Sequence, residues 1–301
     1  MKNSVKASVL VLAFVLTIAL SPSSLAQSFK KVGVKGGAKM TQIASGGRSV
    51  WALATNGQPY IYQNNQFVLA NTRSLTQIAL GGGNLRQADA VWAVDSATNI
   101  YRASKSGTSW VFKQVPGNLD FIAVGIGYND NCHPYEVWGL NPSAEIWRYD
   151  FCVKNWSQIP GSLGWMVVSG SDVWGINGNG TLYYFDYALG SFQQAMGGGA
   201  LFAVGPQSVW VFDHSGITPD AVYQVTPSGN IALAVQSLSQ IQAGGDGLRG
   251  IDLSGQVFEL RYAAERSVQI PGIVLASIGV GSGGGVWGMD FTGQVFAFST
   301  P

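Results

Sequence analysis

The sequence predicts an all-β protein, a β-propeller of four-stranded antiparallel blades, with seven blades expected and six as the alternative. A phrase built on Val-Trp recurs at intervals of about forty residues, which is typical of propeller blades. Forty Gly residues supply the tight turns that short antiparallel strands need. The Trp of the phrase stands at Trp51, Trp92, Trp138, Trp174, Trp210 and Trp287, and Arg249 takes its place in a further copy.

The third copy of the repeat contains four short runs that predict the four strands of one blade. The runs 119–125, 136–140, 145–148 and 156–159 have the length and the β-branched or aromatic content of strands. The second run is apolar on both faces, as a strand buried between two neighbouring blades would be. We therefore expect the repeated Trp residues to be core, and Arg249 to mark either an open blade edge or a local salt bridge.

The turn between the second and third strands carries an Asn or Asp in every copy. Such side chains accept hydrogen bonds from their own turn backbone, and a nearby Gly supplies positive φ. This pattern favours hairpin chemistry over ligand binding. The positions are Asn56, Asp95, Asn141, Asn177, Asp213, Asp252 and Asp290.

The two ends of the repeat region indicate how the ring closes. Residues 294–301 match only the third strand of the last copy, so this copy lacks a fourth strand. Residues 29–32 stand in front of the first copy in the same way that residues 111–115, a predicted fourth strand, stand in front of the third copy. Residues 29–32 therefore resemble a fourth strand. We therefore expect the N-terminal strand to complete the last blade, which would leave no open sheet edge.

The first 26 residues lie outside the repeat and have the pattern of a secretory signal peptide. Lys2 and Lys6 precede an apolar run at 7–20, and small residues stand before Gln27. The run is shorter than a membrane span of about 20 residues. The sequence therefore predicts one exported domain, 27–301, that is secreted or periplasmic and has no membrane span.

The third copy contains the two cysteines of the chain, Cys132 and Cys152. In an exported protein a lone pair of cysteines favours a disulfide over two thiols. Without a flanking His cluster, a zinc site is not expected. The polar loop around Asp130 in the same copy offers oxygen donors for calcium, but no ligand spacing there supports a calcium site.

Composition and motifs exclude several function classes. The chain has 17 Lys and Arg against 16 Asp and Glu, without a basic stripe, so no nucleic-acid partner is expected. His133 and His214 stand in different copies and offer little material for acid-base or metal chemistry. No nucleophile elbow, phosphate loop or zinc-protease motif is present. We expect no enzyme and no cofactor, with a polysaccharide-degrading propeller as the alternative if two acids converge on the central opening.

With these residues in hand, the chain resembles the tectonin repeat family. The second and third copies carry the pattern most closely: 110–125 reads WVFKQVPGNLDFIAVG, and Ile100-Tyr101-Arg102 and Ile146-Trp147-Arg148 follow in their copies. The resemblance implies a β-propeller, and several exported members are lectins for lipopolysaccharide, N-acetylated sugars or O-methylated sugars. The best-known members look six-bladed, whereas this chain shows seven copies.

The resemblance makes a secreted, multivalent, glycan-binding propeller the leading hypothesis, because repeated weak sites raise avidity. An exposed aromatic ring and fixed polar donors suit a sugar. Trp110 and Trp156, on the predicted fourth strands, and Arg102 and Arg148, at the ends of third strands, are the candidate glycan-binding residues. The alternative for these residues is structural, as rim packing and paired charges. The alternative function is an extracellular or envelope scaffold for a protein partner.

Overall fold

The computed structural model describes residues 28–81, 89–127, 132–196, 201–205, 208–213, 221–226, 229–234, 238–244, 247–261, 266–281 and 285–299. Nearly all regular structure in these ranges is β-strand, with one short 3-10 turn at Lys35–Gly37. None of the described segments forms a helix with the length and apolarity to cross a membrane. The predicted leader, 1–26, and the residues Asp130 and His214 lie outside the described residues.

The described strands follow one another as units of four. After β1 (Ser28–Val34), the strands of units 1 to 3 are β2 (Met40–Ser45), β3 (Val50–Ala54), β4 (Pro59–Gln63), β5 (Gln66–Leu69), β6 (Gln77–Gly81), β7 (Ala90–Val94), β8 (Ile100–Ser106), β9 (Ser109–Val115), β10 (Phe121–Ile126), β11 (Tyr135–Leu140), β12 (Glu145–Asp150) and β13 (Asn155–Ser162). Those of units 4 to 6 are β14 (Trp165–Ser169), β15 (Asp172–Ile176), β16 (Leu182–Asp186), β17 (Ser191–Met196), β18 (Leu201–Gly205), β19 (Ser208–Asp213), β20 (Ala221–Thr226), β21 (Gly229–Ala234), β22 (Leu238–Gly244), β23 (Gly247–Asp252), β24 (Gln256–Arg261) and β25 (Arg266–Val274). Unit 7 contains β26 (Ser277–Val280), β27 (Val286–Met289) and β28 (Val295–Ser299).

Each of units 2 to 6 is a separate antiparallel sheet with its strands in chain order. β1 pairs antiparallel with β28 of unit 7, from Ser28 opposite Ser299 to Val32 opposite Val295. The end of β1 also pairs parallel with β5, where Gly33 lies opposite Gln66. Units 1 and 7 therefore share one eight-stranded sheet.

The first strands of the units contact one another in sequence, from β2 through β6, β10, β14, β18 and β22 to β26, and β26 contacts β2 again. Glutamine side chains reinforce three of these contacts. The Gln77 amide donates to the Ile122 carbonyl (3.1 Å) and accepts from the Ile122 N–H (2.8 Å) in the next unit. Gln42 and Gln240 make the same two bonds to Ile78 and Ile278.

The repeated Trp residues form much of the packing between units. Trp51, Trp92 and Trp138 are fully buried, as the sequence predicts for core residues. Each packs edge-to-face on aromatic rings of the next unit. The Trp92 ring, for example, lies 5.0 Å from Tyr149 and 6.0 Å from Trp156.

Arg249 stands at the Trp position of unit 6 and forms a salt bridge there. Of the two expectations for this residue, the structure confirms the local salt bridge and not the open blade edge. In the strand register Trp138 faces Arg148, whereas Arg249 faces Glu259. The Arg249 side chain is buried, and its Nη2 lies 3.7 Å from Glu259 Oε1. Its guanidinium lies 5.8 Å from the Phe298 ring centroid in the next unit, so it stacks where Trp packs elsewhere.

The Asn and Asp positions of the second-to-third turns are hairpin residues, as predicted. Asp95 Oδ1 accepts hydrogen bonds from the N–H groups of Ala97 and Asn99, both at 2.9 Å. Asn56, Asn141, Asn177, Asp252 and Asp290 accept from their own turns in the same way. Asp213 ends β19, and the turn that follows it lies outside the described residues.

These turns and the linkers between units lie on one face of the ring, which we name the linker face. The linker residue Leu119 donates its N–H to the Thr98 carbonyl in the preceding turn (3.0 Å), and Leu275 donates to Gly255 (2.8 Å). The third-to-fourth turns lie on the opposite face, the hairpin face. One of them carries the predicted disulfide, Cys132–Cys152, which ties it to the β10–β11 loop.

Candidate functional site

A cleft of about 390 Å³ lies where the linker from β9 to β10, between units 2 and 3, meets the outer strands of unit 3. The linker forms one wall, and the β11–β12 turn and strands β12 and β13 form the other. The residues that line it are Pro116, Gly117, Asn118, Leu119, Asn141, Trp147, Asn155 and Trp156. The cleft thus combines indole rings with carboxamide side chains.

Trp147 supplies a half-buried aromatic ring to this cleft. It is in the middle of β12 and lies opposite Gly139 of β11. The Nε1 atoms of Trp147 and Trp156 are buried and have no hydrogen-bond partner among the described residues. Because neither N–H is exposed, the two indoles contribute ring carbons to the cleft wall, and the donors that a ligand can reach are the side chains that stay exposed.

The corresponding position of unit 2 is covered by an arginine. Tyr101 of unit 2 is the equivalent of Trp147, because it pairs with Ala93 of β7 as Trp147 pairs with Gly139 of β11. The guanidinium of Arg73, in the linker from β5 to β6, lies 4.3 Å from the Tyr101 ring centroid. This cation–π contact occupies the aromatic face.

Gly117 leaves the equivalent space open in unit 3. Leu75 and Leu119 make equivalent bonds at the ends of their linkers, and Arg73 and Gly117 each stand two residues earlier. Gly117 has φ +130°, which L side chains rarely adopt. A Cβ here would come 3.0 Å from Cδ1 of Trp156, so a side chain would crowd the cleft wall.

The carboxamides of the cleft differ in their exposure and in the hydrogen bonds that they already form. Asn118 and Asn155 are exposed. Asn141 is held by its turn, because its Oδ1 accepts from the N–H groups of Ser143 (3.1 Å) and Glu145 (2.9 Å). Asn118 and Asn155 are therefore better placed to bond a ligand, while Asn141 shapes the wall.

Of the four predicted glycan-binding residues, Trp156 lines the cleft. It is only 8% exposed and packs on Trp92 and Tyr149, so it presents an edge and not an open ring face. Trp110 is half-buried elsewhere and packs edge-to-face on Trp51 at 4.8 Å. Both fourth-strand residues thus contribute to packing between units.

Arg148 binds a buried carboxylate. Its Nε and Nη2 donate to Oε2 and Oε1 of Glu136 at 3.0 and 2.7 Å, and Glu136 also accepts from Trp138 Nε1 at 2.7 Å. Glu136 is fully buried. Burial, and next the Glu136 carboxylate, raise the pKa of the adjacent Tyr187 phenol, although Arg148 acts in the opposite direction.

Arg102 occupies the equivalent strand position in unit 2, where Ala90 stands in place of Glu136. It is exposed, and its guanidinium lies 5.3 Å from the Phe151 ring centroid across the unit boundary. Neither arginine lines the cleft. Their part in sugar binding stays a prediction.

The aromatic residue that sequence reasoning missed as a candidate is Trp147. Its signal was present in the third-strand phrase Ile146-Trp147-Arg148 and in the Pro116-Gly117 linker. The other chemical cluster, Cys132 and Cys152 with Asp150, brings sulfur and carboxylate atoms within 4.8 Å of one another. Since both sulfurs form the disulfide, they offer no thiolate to a metal.

Comparisons with known proteins agree with this architecture. Residues 22–198 match the sequence model of the Tectonin domain family. No curated protein matches the chain. Among solved structures, the WD40 repeats of RRP9 superpose with a TM-score of 0.62 at 8% identity, covering 90% of this chain and 99% of that one.

Two further structures show the same likeness. The Pan2 WD40 domain of Neurospora crassa gives a TM-score of 0.61 at 12% identity, over 88% of this chain and 90% of that one. YCF48 from Cyanidioschyzon merolae gives 0.61 at 11% identity, over 90% and 98%. At these identities the likeness concerns the fold. The match over more than half of the sequence shows that the chain belongs to the Tectonin family and is a β-propeller.

Proposed function

We propose that this chain is an exported, non-enzymatic, carbohydrate-binding propeller, and that the cleft between units 2 and 3 binds a sugar. The observation that carries the proposal is the half-buried Trp147 ring that lines the cleft together with the exposed carboxamides of Asn118 and Asn155. Membership of the Tectonin family supports a lectin-like role. Lipopolysaccharide and methylated sugars are the glycoconjugates that we expect first.

The chemistry of the cleft suits a neutral sugar. The C–H face of a pyranose packs on an aromatic ring, while its hydroxyls or an acetamido group bond to amides and to N–H donors. The exposed carboxamides of Asn118 and Asn155 supply both donors and acceptors. Multivalent binding stays a prediction, and the Arg73 cover on Tyr101 shows that the units are not equivalent.

We further propose seven blades in a ring that the N-terminal strand closes, and export to the periplasm or the cell exterior. The pairing of β1 with β28 and the cyclic contacts of the first strands support the closed ring. The leader pattern at 1–26 and the disulfide support export.

Because β1 covers the edge of β28, removal of residues 28–34 should expose that edge and promote aggregation, which size-exclusion chromatography measures.

The test of sugar binding is an array of microbial and animal glycans probed with the chain 27–301. We expect saturable binding to a related group of sugars. Asn118→Ala and Asn155→Ala each remove one exposed carboxamide from the cleft. Each should weaken binding about three- to tenfold, the effect of one lost hydrogen bond.

Asn179→Ala is the matched control, because Asn179 is an exposed turn residue outside the cleft lining. It should bind like the unaltered chain. A blank array with folded protein would overturn the carbohydrate proposal and favour the protein scaffold. Binding that neither cleft variant weakens would reject the cleft as the site while leaving the lectin role.

A further inference from the structure

Three exposed apolar side chains gather on the linker face of units 6 and 7. Leu253 is 79% exposed, Phe291 71% and Val274 49%. They surround Gly255, where an added Cβ would lie 2.7 Å from Val274 Cγ1 and 3.1 Å from Phe291 Cε2. Leu253 belongs to the same turn as Gly255. Exposed apolar clusters of this kind mark contact surfaces.

Exposed lysines lie beside this apolar cluster. Lys31 and Lys39 line a cleft of about 250 Å³ together with Gly293, which belongs to the turn of Phe291. Lys35 stands in the 3-10 turn between them. The segment 28–39 contains four lysines and no acidic residue.

The neighbouring carboxylates are turned toward their own backbone. Asp290 Oδ1 accepts from the N–H groups of Thr292 (2.8 Å) and Gln294 (2.9 Å). Asp252 Oδ1 accepts from those of Ser254 and Gln256, both at 2.8 Å. These bonds do not remove the negative charge of the two carboxylates. Burial alone would raise the pKa of Asp290, but its hydrogen bonds and the charge of Lys39 lower it. The lysines at 31, 35 and 39 outnumber the two carboxylates by one.

We propose that the linker face of units 6, 7 and 1 docks on an anionic phospholipid bilayer. Phe291 and Leu253 project from turn tips, so they can enter the boundary between headgroups and acyl chains. Lys31, Lys35 and Lys39 lie beside them and would contact headgroup phosphates. The surface is separate from the sugar cleft of units 2 and 3, and the two activities stand or fall independently.

The shape and the charge of this surface both favour a lipid occupant. The apolar side chains are largely exposed and stand on turns, whereas a groove for a peptide would bury them in its walls. Positive charge next to apolar side chains complements a bilayer that is negative at its surface and apolar below it. A membrane-facing linker face would leave the opposite, hairpin face toward solvent.

The test is co-sedimentation of the chain 27–301 with phosphatidylcholine vesicles, with and without phosphatidylglycerol. We expect binding to the anionic vesicles that weakens as salt rises. The double variant Leu253→Ser, Phe291→Ser should weaken binding about tenfold or more, since two apolar side chains lose their burial. Each Lys→Gln change at 31, 35 or 39 should weaken it roughly fivefold.

The matched control is Val153→Ser, Leu189→Ser. These residues are 67% and 65% exposed on third-to-fourth turns of the hairpin face, and their loss should leave vesicle binding unchanged. Failure of the folded chain to sediment with anionic vesicles would overturn the proposal. So would binding that inorganic phosphate abolishes while sodium chloride of the same ionic strength does not, or binding that the Leu253 and Phe291 changes leave intact. Sugar binding on the array is read separately and is expected to survive both double variants.

Discussion

Single residues decide which aromatic rings of this propeller a ligand can reach. The Arg73 guanidinium lies over the Tyr101 ring, whereas Gly117 leaves Trp147 uncovered at the equivalent place. Single residues also decide which arginine side chains are paired in the interior and which are exposed. Glu136 holds Arg148 in a buried pair, and Ala90 leaves Arg102 exposed. The repeat thus keeps the fold while individual substitutions differentiate its units.

The buried Glu136 pair gives a prediction at this scale. Glu136→Gln would leave the Arg148 guanidinium, whose side chain is 16% exposed, without its counter-charge. We expect a loss of about 3–5 kcal/mol in the free energy of unfolding, measured by urea denaturation. Glu145→Gln is the control, because Glu145 accepts from the neutral Asn141 amide, which Gln still allows. It should cost less than about 1 kcal/mol, and equal losses in both variants would contradict this account.

Sequence reasoning at this scale identified residue types better than partners. The Trp positions were predicted as core from their repeat, and burial of Trp51, Trp92 and Trp138 confirms that prediction for them. Trp174 is only half-buried, so the prediction is wrong at that position. The Arg148 partner was not foreseen, because Glu136 lies on the neighbouring strand and meets it only through the β11–β12 register. The open Trp147 ring likewise depends on the path of the linker.

At the scale of the element, side chains bond one strand or turn to the next. Gln77 bonds both the N–H and the carbonyl of Ile122 in the following unit. Gln77→Leu should cost about 1–3 kcal/mol in the free energy of unfolding, because two backbone groups lose partners. Gln158→Leu, on the exposed side of β13, should cost less than about 0.5 kcal/mol. A Gln77 variant as stable as that control would show that the backbone bonds contribute nothing.

The Asp95 turn predicts a dependence of stability on acid. Burial alone would raise the pKa of Asp95, but hydrogen bonds from Asn99, Tyr101 and Ala97 outweigh it and lower the pKa below its ordinary value. The stabilisation is present above the unfolded pKa of about 4 and is lost as the pH falls through the folded value. The urea midpoint at neutral pH should exceed the midpoint below about pH 4, and Asp95→Asn should reduce that difference. An unchanged difference would assign the acid sensitivity to other carboxylates.

At the scale of the whole molecule, the repeat made the β-propeller predictable, and the Tectonin match confirms the family. What the sequence could not provide was the assembly of surfaces from distant segments. The overall charge of the chain is nearly balanced, so its composition did not predict a basic surface at the lysines 31, 35 and 39. Pairing of β1 with β28 brings them to the turn that carries Phe291.

The measurement that tests the central claim most directly is a calorimetric titration of the best array sugar into Trp147→Leu. We expect affinity to fall about tenfold or more, a change of ~1.4 kcal/mol or more. Trp165→Leu, at a half-buried Trp outside the cleft lining, should keep the original affinity, with the folding of both variants checked by urea denaturation. Unchanged affinity in a folded Trp147→Leu protein would contradict the assignment of sugar binding to this cleft.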